Sequence, residues 1–110
     1  MAVASPRSGE VYLVALDPTP GREIRKARPC VVFSPDELNE HLRTLLVAPL
    51  TTGGHPYPLR IPCRFQRRKG YVVVDQIRTI DVGRLVERLG KLSPGTLTQT
   101  LQALQEMFAE

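Results

Sequence analysis

Apolar residues come along this chain in short runs, broken by proline, glycine and charge, and most runs follow a period of two. Glu10 to Asp17 (EVYLVALD) alternates polar and apolar positions and predicts a strand. Asp17-Pro18-Thr19-Pro20-Gly21 ends it, because two prolines and a glycine cannot continue a ladder. A long basic loop then runs through Arg22, Glu23, Arg25 and Lys26, and long loops inside small domains are more often functional than decorative. Pro29 biases Arg28 toward extended geometry and opens a strand over Cys30 to Phe33. Ser34-Pro35-Asp36-Glu37-Leu38 predicts a short helix, with Ser34 as its N-cap and Pro35 as its first residue. Arg43 to Leu50 (RTLLVAPL) predicts a buried strand, and Thr51 to Pro58 a second loop punctuated by Gly53-Gly54. Leu59 to Phe65 and Tyr71 to Asp75 predict a hairpin around a basic turn, Arg67-Arg68-Lys69-Gly70. Gln76 to Ile80 continues as a further strand or bends into one.

The period then changes. Val82 to Leu89 predicts a short helix closed by Gly90. Ser93-Pro94 starts a final helix, on which Leu97, Leu101, Leu104 and Phe108 form one apolar stripe that packs on the sheet. Met1 to Ser8 shows no periodicity and reads as a loose start. These elements sum to one domain over residues 1–110, mainly β with α additions. The expected architecture is a small, strongly curved SH3-like β-barrel or half-barrel with a C-terminal helix.

Composition changes the picture in one respect. With 42% hydrophobic and 24% charged residues the chain is ordinary for a globular domain, but 15 cations against 11 anions leave a net charge of +4. A small basic domain is drawn to polyanions: RNA, DNA or an acidic chain. Cys30 and Cys63 both lie in apolar runs and read as reduced core residues, and no Cys or His spacing suggests a metal site. No apolar run has spanning length and no signal-peptide pattern is present, so a cytoplasmic protein with no membrane association is expected. Three Tyr, three Phe and no Trp leave little for base stacking, which points RNA recognition toward phosphate and polar contacts from loops.

If the Arg28–Phe33 and Val47–Thr52 segments pair antiparallel, Arg28 and Thr51 meet at one edge of the sheet. Cleavage of RNA without a metal uses the 2′-hydroxyl as nucleophile. It needs a proton acceptor, positive charge at the phosphorane and a group at the leaving 5′-oxygen. Arg28 offers fixed donors that match two phosphate oxygens, and Thr51 offers a hydroxyl held at a strand end. Glu23 either orients Arg28, takes a proton, or is a solvated loop residue. Arg25, Lys26, Thr52, His55, Asp75, Gln76 and Arg78 are candidates for RNA contact. His55 sits in a flexible Gly-Gly-His-Pro loop, poor support for a catalytic group, and His41 reads as a surface helix residue.

The landmarks Gly9-Glu10-Val11-Tyr12-Leu13-Val14, Leu16-Asp17-Pro18, Gly21-x-Glu23, Arg28-Pro29-Cys30-Val31-Val32, Val47-Ala48-Pro49-Leu50-Thr51 and Asp75-Gln76-Ile77-Arg78-Thr79-Ile80-Asp81 stand in one order. That ordered set resembles the MazF/PemK/Kid family of toxin ribonucleases over nearly the whole chain. The resemblance implies a type II toxin–antitoxin toxin: a ribosome-independent, metal-independent endoribonuclease that cuts single-stranded RNA at short sequences and needs no cofactor. It implies products with a 2′,3′-cyclic phosphate or 3′-phosphate and a 5′-hydroxyl. It also implies a homodimer and a MazE-like antitoxin whose acidic, disordered tail covers the same basic groove, which fits the +4 charge. The family's catalytic Arg and Thr fall on Arg28 and Thr51, its first-loop Glu on Glu23, and its Asp-Gln-x-Arg segment on Asp75, Gln76 and Arg78. A Kid-type assignment matches less well, since its Arg and His fall on Val73 and Arg22. Two rivals share the fold: a gyrase-poisoning toxin, which the absent Trp disfavours, and a non-catalytic SH3-like RNA- or protein-binding module.

Overall fold

The computed structural model describes residues 5–16 and 27–109. Among them, seven strands and two α-helices follow in the order β1 (Glu10–Ala15), β2 (Ala27–Val32), α1 (Asp36–His41), β3 (Thr44–Thr52), β4 (Ile61–Phe65), β5 (Arg68–Val72), β6 (Arg78–Asp81), β7 (Leu85–Lys91) and α2 (Pro94–Phe108). The strands form one sheet in the order β4-β5-β3-β2-β1-β7, and β6 pairs with the first half of β3. The ladders are antiparallel. β3 is the hinge of the architecture: Thr44–Val47 pairs with β6, Val47–Pro49 with β2, and Leu50–Thr52 with β5. Pro49 stands at the changeover, and its carbonyl accepts from the Val73 N–H at 2.9 Å. The result is the mainly β, curled half-barrel with a C-terminal helix that the residue pattern implied.

Alternation along the strands sends side chains to two cores. Val11, Val31, Ala48, Leu50, Val72 and Val74 face one cluster, closed by Ala103 and Leu104 of α2. Val14, Cys30, Val32, Leu45, Val47 and Ile80 face the other, inside the curl. Both cysteines are free and buried, as expected of core residues.

Four local expectations are corrected. Val82 to Leu89 is not a helix: Val82–Arg84 makes a single 3-10 turn and Leu85–Lys91 is β7, which pairs with β1. Ser34 does not cap α1, whose N-cap is Pro35. Its hydroxyl instead donates to Asn39 Oδ1 (2.6 Å) and accepts from the Leu46 N–H (3.1 Å), in a buried network that also ties Asn39 Nδ2 to the Pro6 carbonyl. The β4–β5 turn is Gln66-Arg67, both with positive φ (51° and 67°), so Arg68 to Gly70 belong to β5. On α2 the buried line runs through Thr100, Ala103 and Leu104, while Leu101 and Phe108 are exposed. The Ser93 cap holds as expected, its Oγ accepting from the Thr96 N–H at 3.2 Å.

Candidate active site

Arg28 is exposed near the start of β2, opposite Val14 of β1. The β2–β3 ladder pairs Cys30 with Pro49, Val31 with Ala48 and Val32 with Val47. Carried two residues past that ladder's last rung, the register would set Arg28 level with Thr51, but the two are not paired. Thr51 is opposite Tyr71, and Tyr71 opposite Pro62. Val14–Arg28 and Thr51–Tyr71–Pro62 are thus two pieces of one row, interrupted between Arg28 and Thr51. Opposed residues of an antiparallel pair share a face at about 5 Å between Cβ atoms. Arg28 and Thr51 occupy the face that carries Cys30, Val32 and Val47, and they bring that face to the surface.

Thr51 is held firmly. Its Oγ1 donates to the Gly53 carbonyl (3.2 Å), with the Tyr71 carbonyl alongside at 3.5 Å, and accepts from the Tyr71 N–H (3.3 Å). Gly70 permits this. A Cβ there would lie 1.6 Å from the Thr51 carbonyl oxygen, so no other residue allows β5 to approach β3 so closely. A cleft of about 330 Å³ opens beside Thr51, lined by Thr51, Thr52, Gln66 and Arg68 together with Pro29 and with Leu50, Cys63 and Phe65 of the α2-side cluster; neither Arg28 nor Arg78 lines it. A second, of about 430 Å³, lies on the far side of Gly53-Gly54 and includes Arg64, Lys69 and Tyr71.

The charge around the row is one-sided. Burial pushes the Cys30 thiol up to about 11, while the guanidinium groups of Arg28 and Arg78 act in the opposite sense, so both cations stand near it. Arg78 pairs with Val47, on the same face as Arg28. Arg7, Arg43, Arg60 and Arg88 make ion pairs with Asp36, Asp81, Asp75 and Glu10. Among the described residues, Arg28, Arg68 and Arg78 have no such partner. An anion entering this cleft meets the Arg68 guanidinium, which no carboxylate among the described residues has satisfied.

Residues 7–108 match the model of the PemK-like, MazF-like toxins of type II toxin–antitoxin systems. The chain belongs to this family. An endoribonuclease MazF of Staphylococcus epidermidis is 32% identical over 104 residues, covering 89% of this chain and 87% of the relative. An endoribonuclease PemK of Escherichia coli is 36% identical over 90 residues, covering 74% of this chain and 68% of the relative. A solved endoribonuclease in complex with its cognate antitoxin, from a mycobacterial species, superposes with a TM-score of 0.79 at 26% identity and 93% coverage of both chains.

Against that family frame, the residues singled out by sequence fall into three groups. Thr51 and Thr52 line one cleft, and Arg28 and Arg78 stand near Cys30 at the end of the β2–β3 ladder. Glu23, Arg25 and Lys26 lie outside the described residues. Asp75, Gln76 and His55 lie to one side. Gln76 is exposed in a 3-10 turn over Val74–Gln76. Asp75 is engaged by Arg60 through two bonds, Nε to Oδ1 (3.1 Å) and Nη2 to Oδ2 (3.2 Å), and the guanidinium holds its carboxyl below the usual range. His55 meets Tyr57 edge-on at 5.8 Å between ring centres. Sequence reasoning overlooked Arg60 and Tyr57, and weighed Arg67-Arg68-Lys69 as either a phosphate contact or a solvated turn. Arg68 was legible as part of a basic run, but its place at the cleft depended on where the hairpin turned.

Proposed function

We propose that this chain is an endoribonuclease toxin of a type II toxin–antitoxin system, cutting single-stranded RNA at the row formed by Arg28 and Thr51. The observation that carries the reading is the strand register. The ladder ends at Cys30–Pro49, two residues short of both Arg28, a guanidinium without a carboxylate partner among the described residues, and Thr51, an immobilised hydroxyl at a cleft that also carries Arg68; this supports the reading. The 2′-oxygen attacks the adjacent phosphorus, the bond to the 5′-oxygen breaks, and a 2′,3′-cyclic phosphate and a 5′-hydroxyl result. Arg28 donates to two nonbridging oxygens, where charge grows in the phosphorane, and assists proton transfer. Thr51 positions the phosphate by redirecting its hydroxyl from the Gly53 carbonyl. Glu23 serves as proton acceptor or orients Arg28. No metal or other cofactor takes part.

Family membership and the antitoxin-bound neighbour support an antitoxin as partner, its acidic segment competing with RNA for the open cations. The toxin works as a cytoplasmic homodimer and slows growth by cutting mRNA. Among the described residues no helix is long and apolar enough to cross a membrane. The test is incubation of purified protein with mixed-sequence single-stranded RNA in EDTA, beside Arg28→Ala. Discrete fragments with 5′-hydroxyl ends from the wild type alone are the expected result. Intact RNA in every lane, or equal cutting by both proteins, overturns the reading.

A further inference from the structure

The loop between β3 and β4 is more ordered than its Gly-Gly-His-Pro composition suggests. Tyr57-Pro58-Leu59-Arg60 is a four-residue turn closed by the Arg60 N–H donating to the Tyr57 carbonyl at 3.2 Å. Pro58 takes the second position, and Leu59 the third with φ 67°, a left-handed conformation that such turns normally assign to glycine. Leucine is tolerated there because its side chain packs against the α2-side core. The turn folds Arg60 back under the ring of Tyr57, its guanidinium carbon 4.8 Å from the ring centre. Asp75 then fixes that guanidinium by the two-bond pair. One aromatic ring is thus backed by a cation, the cation is clamped by a carboxylate, and a second ring, His55, abuts it. Yet Tyr57 remains 54% exposed, among the largest exposures of any apolar or aromatic side chain described. A strained, clamped loop that presents an aromatic ring to solvent is over-determined for a connector.

Its position gives it a use. β4 begins at Ile61, directly after this turn, and Pro62 ends the piece of the row that starts at Thr51. Two strand spacings separate Thr51 from Pro62, about 10 Å. Tyr57 stands five residues before Pro62, so a strand of RNA whose phosphate sits at Thr51 and which runs on past the start of β4 carries a flanking nucleotide to Tyr57. Every base has a face that stacks on an aromatic ring, and a ring held rigid loses little freedom when it does so.

We propose that Tyr57, backed by Arg60 and flanked by His55, is a stacking platform for an unpaired RNA base next to the scissile phosphate. The proposal rests on the reading of the Arg28–Thr51 row as the cleavage site. It makes Tyr57 a determinant of affinity and site choice, and Arg60 and Asp75 positioning residues that act through it.

The test uses a short RNA spanning a cut site mapped with the wild-type protein, with a 2′-deoxy sugar at the cleaved position and 2-aminopurine moved along the flanking positions. The chain has no Trp, so the fluorescence is that of the probe. Quenching at one flanking position is expected with the wild type and with Tyr57→Trp, and its loss with Tyr57→Ala. On the cleavable RNA, Tyr57→Ala raises KM by roughly 5- to 100-fold with kcat nearly unchanged, from the usual strength of base–aromatic stacking. Asp75→Asn, which loosens the clamp and leaves the ring, gives a smaller rise in KM. Binding without a quenched position, or a Tyr57→Ala protein with wild-type quenching and KM, overturns the platform alone. Failure of the wild type to cut any RNA overturns the cleavage-site reading on which it rests.

Discussion

The two ends of β3 are built from similar residues to opposite purposes. At its start, the buried polar side chains are matched. Ser34 and Asn39, each 3% exposed, satisfy one another, the Leu46 amide and the Pro6 carbonyl. Arg7 and Arg43 are paired with Asp36 and Asp81. At its finish, Thr51 is pinned by Tyr71 and Gly53, but the nearby cations Arg28, Arg68 and Arg78 have no carboxylate among the described residues. A carboxylate at a strand end would have been the simple way to neutralise them, and Glu10 does that for Arg88 (2.8 Å) on β1 and β7. Satisfied polar groups mark the end of the strand that holds the fold. Cations without a carboxylate among the described residues, near a rigid hydroxyl, mark the end proposed to receive an anion.

Substitutions that separate the two ends sharpen this contrast. The largest effect belongs to Arg28→Ala. RNA cleavage falls by at least about 10²- to 10³-fold, as for loss of one group aimed at a transition-state oxyanion. The thermal midpoint stays close to that of the wild type, since Arg28 is exposed and supports nothing.

Gly70→Ala comes next and breaks the contrast, because it damages both properties. The added Cβ collides with the Thr51 carbonyl. Overpacking of this kind costs about 1–3 kcal/mol or more. In a domain of this size each kcal/mol lowers the midpoint by roughly 4–8 °C. Calorimetry and cleavage assays on the same sample should show the two losses together. A stable Gly70→Ala protein with full activity would mean that β5 need not press on β3 at Thr51.

Asn39→Ala is the converse of Arg28→Ala. It strips the partner from a buried Ser34 hydroxyl and leaves the Pro6 carbonyl without its donor. A loss of about 1–3 kcal/mol in urea unfolding is expected, with kcat/KM for RNA within about twofold of wild type below the melting range.

The smallest effect concerns pH. Arg60 depresses the Asp75 carboxyl, so their pairing is fully present above the unfolded carboxylate value and is lost only as pH falls through the lowered one, below about 4. The contribution of the Arg60–Asp75 pair to RNA affinity, read as the ratio of wild type to Asp75→Asn so that any change at the neighbouring His55 cancels, should therefore be flat from about pH 5 to pH 8 with the uncleavable RNA. A wild-type loss across that window, absent from Asp75→Asn, would contradict the assignment.

How much of this was visible in the residues themselves varies with the local physics. Arg28-Pro29-Cys30-Val31-Val32 and Val47-Ala48-Pro49-Leu50-Thr51 read as paired strands because their apolar content is high and their ends are abrupt, and the two do pair, from Val32–Val47 to Cys30–Pro49. The Ser93-Pro94 start of α2 was equally plain, a cap followed by the residue that needs no hydrogen bond. β7 was misread as helix for a definite reason. Its pairing with β1 shifts register twice, between Val11 and Tyr12 and between Leu13 and Val14. These irregularities put its half-buried residues Leu85 and Leu89 four apart, a helical interval. Ser34 looked like a cap because hydroxyls before a helix usually are. Here the buried Asn39 competes for it, and no local pattern announces that. The Tyr57–Arg60 turn was invisible because leucine, not glycine, holds the left-handed position, so the usual mark of such a turn is missing.

The central claim is that the open end of β3 cuts RNA while the closed end holds the fold. Single-turnover cleavage of one mapped RNA by Arg28→Ala and Asn39→Ala, with unfolding midpoints taken on the same preparations, tests it most directly. The account requires Arg28→Ala to lose at least about 10²-fold in rate at an unchanged midpoint, and Asn39→Ala to lose midpoint at a nearly unchanged rate. An Arg28→Ala protein that cleaves within about twofold of wild type would contradict it, and the site would have to be sought elsewhere on the sheet.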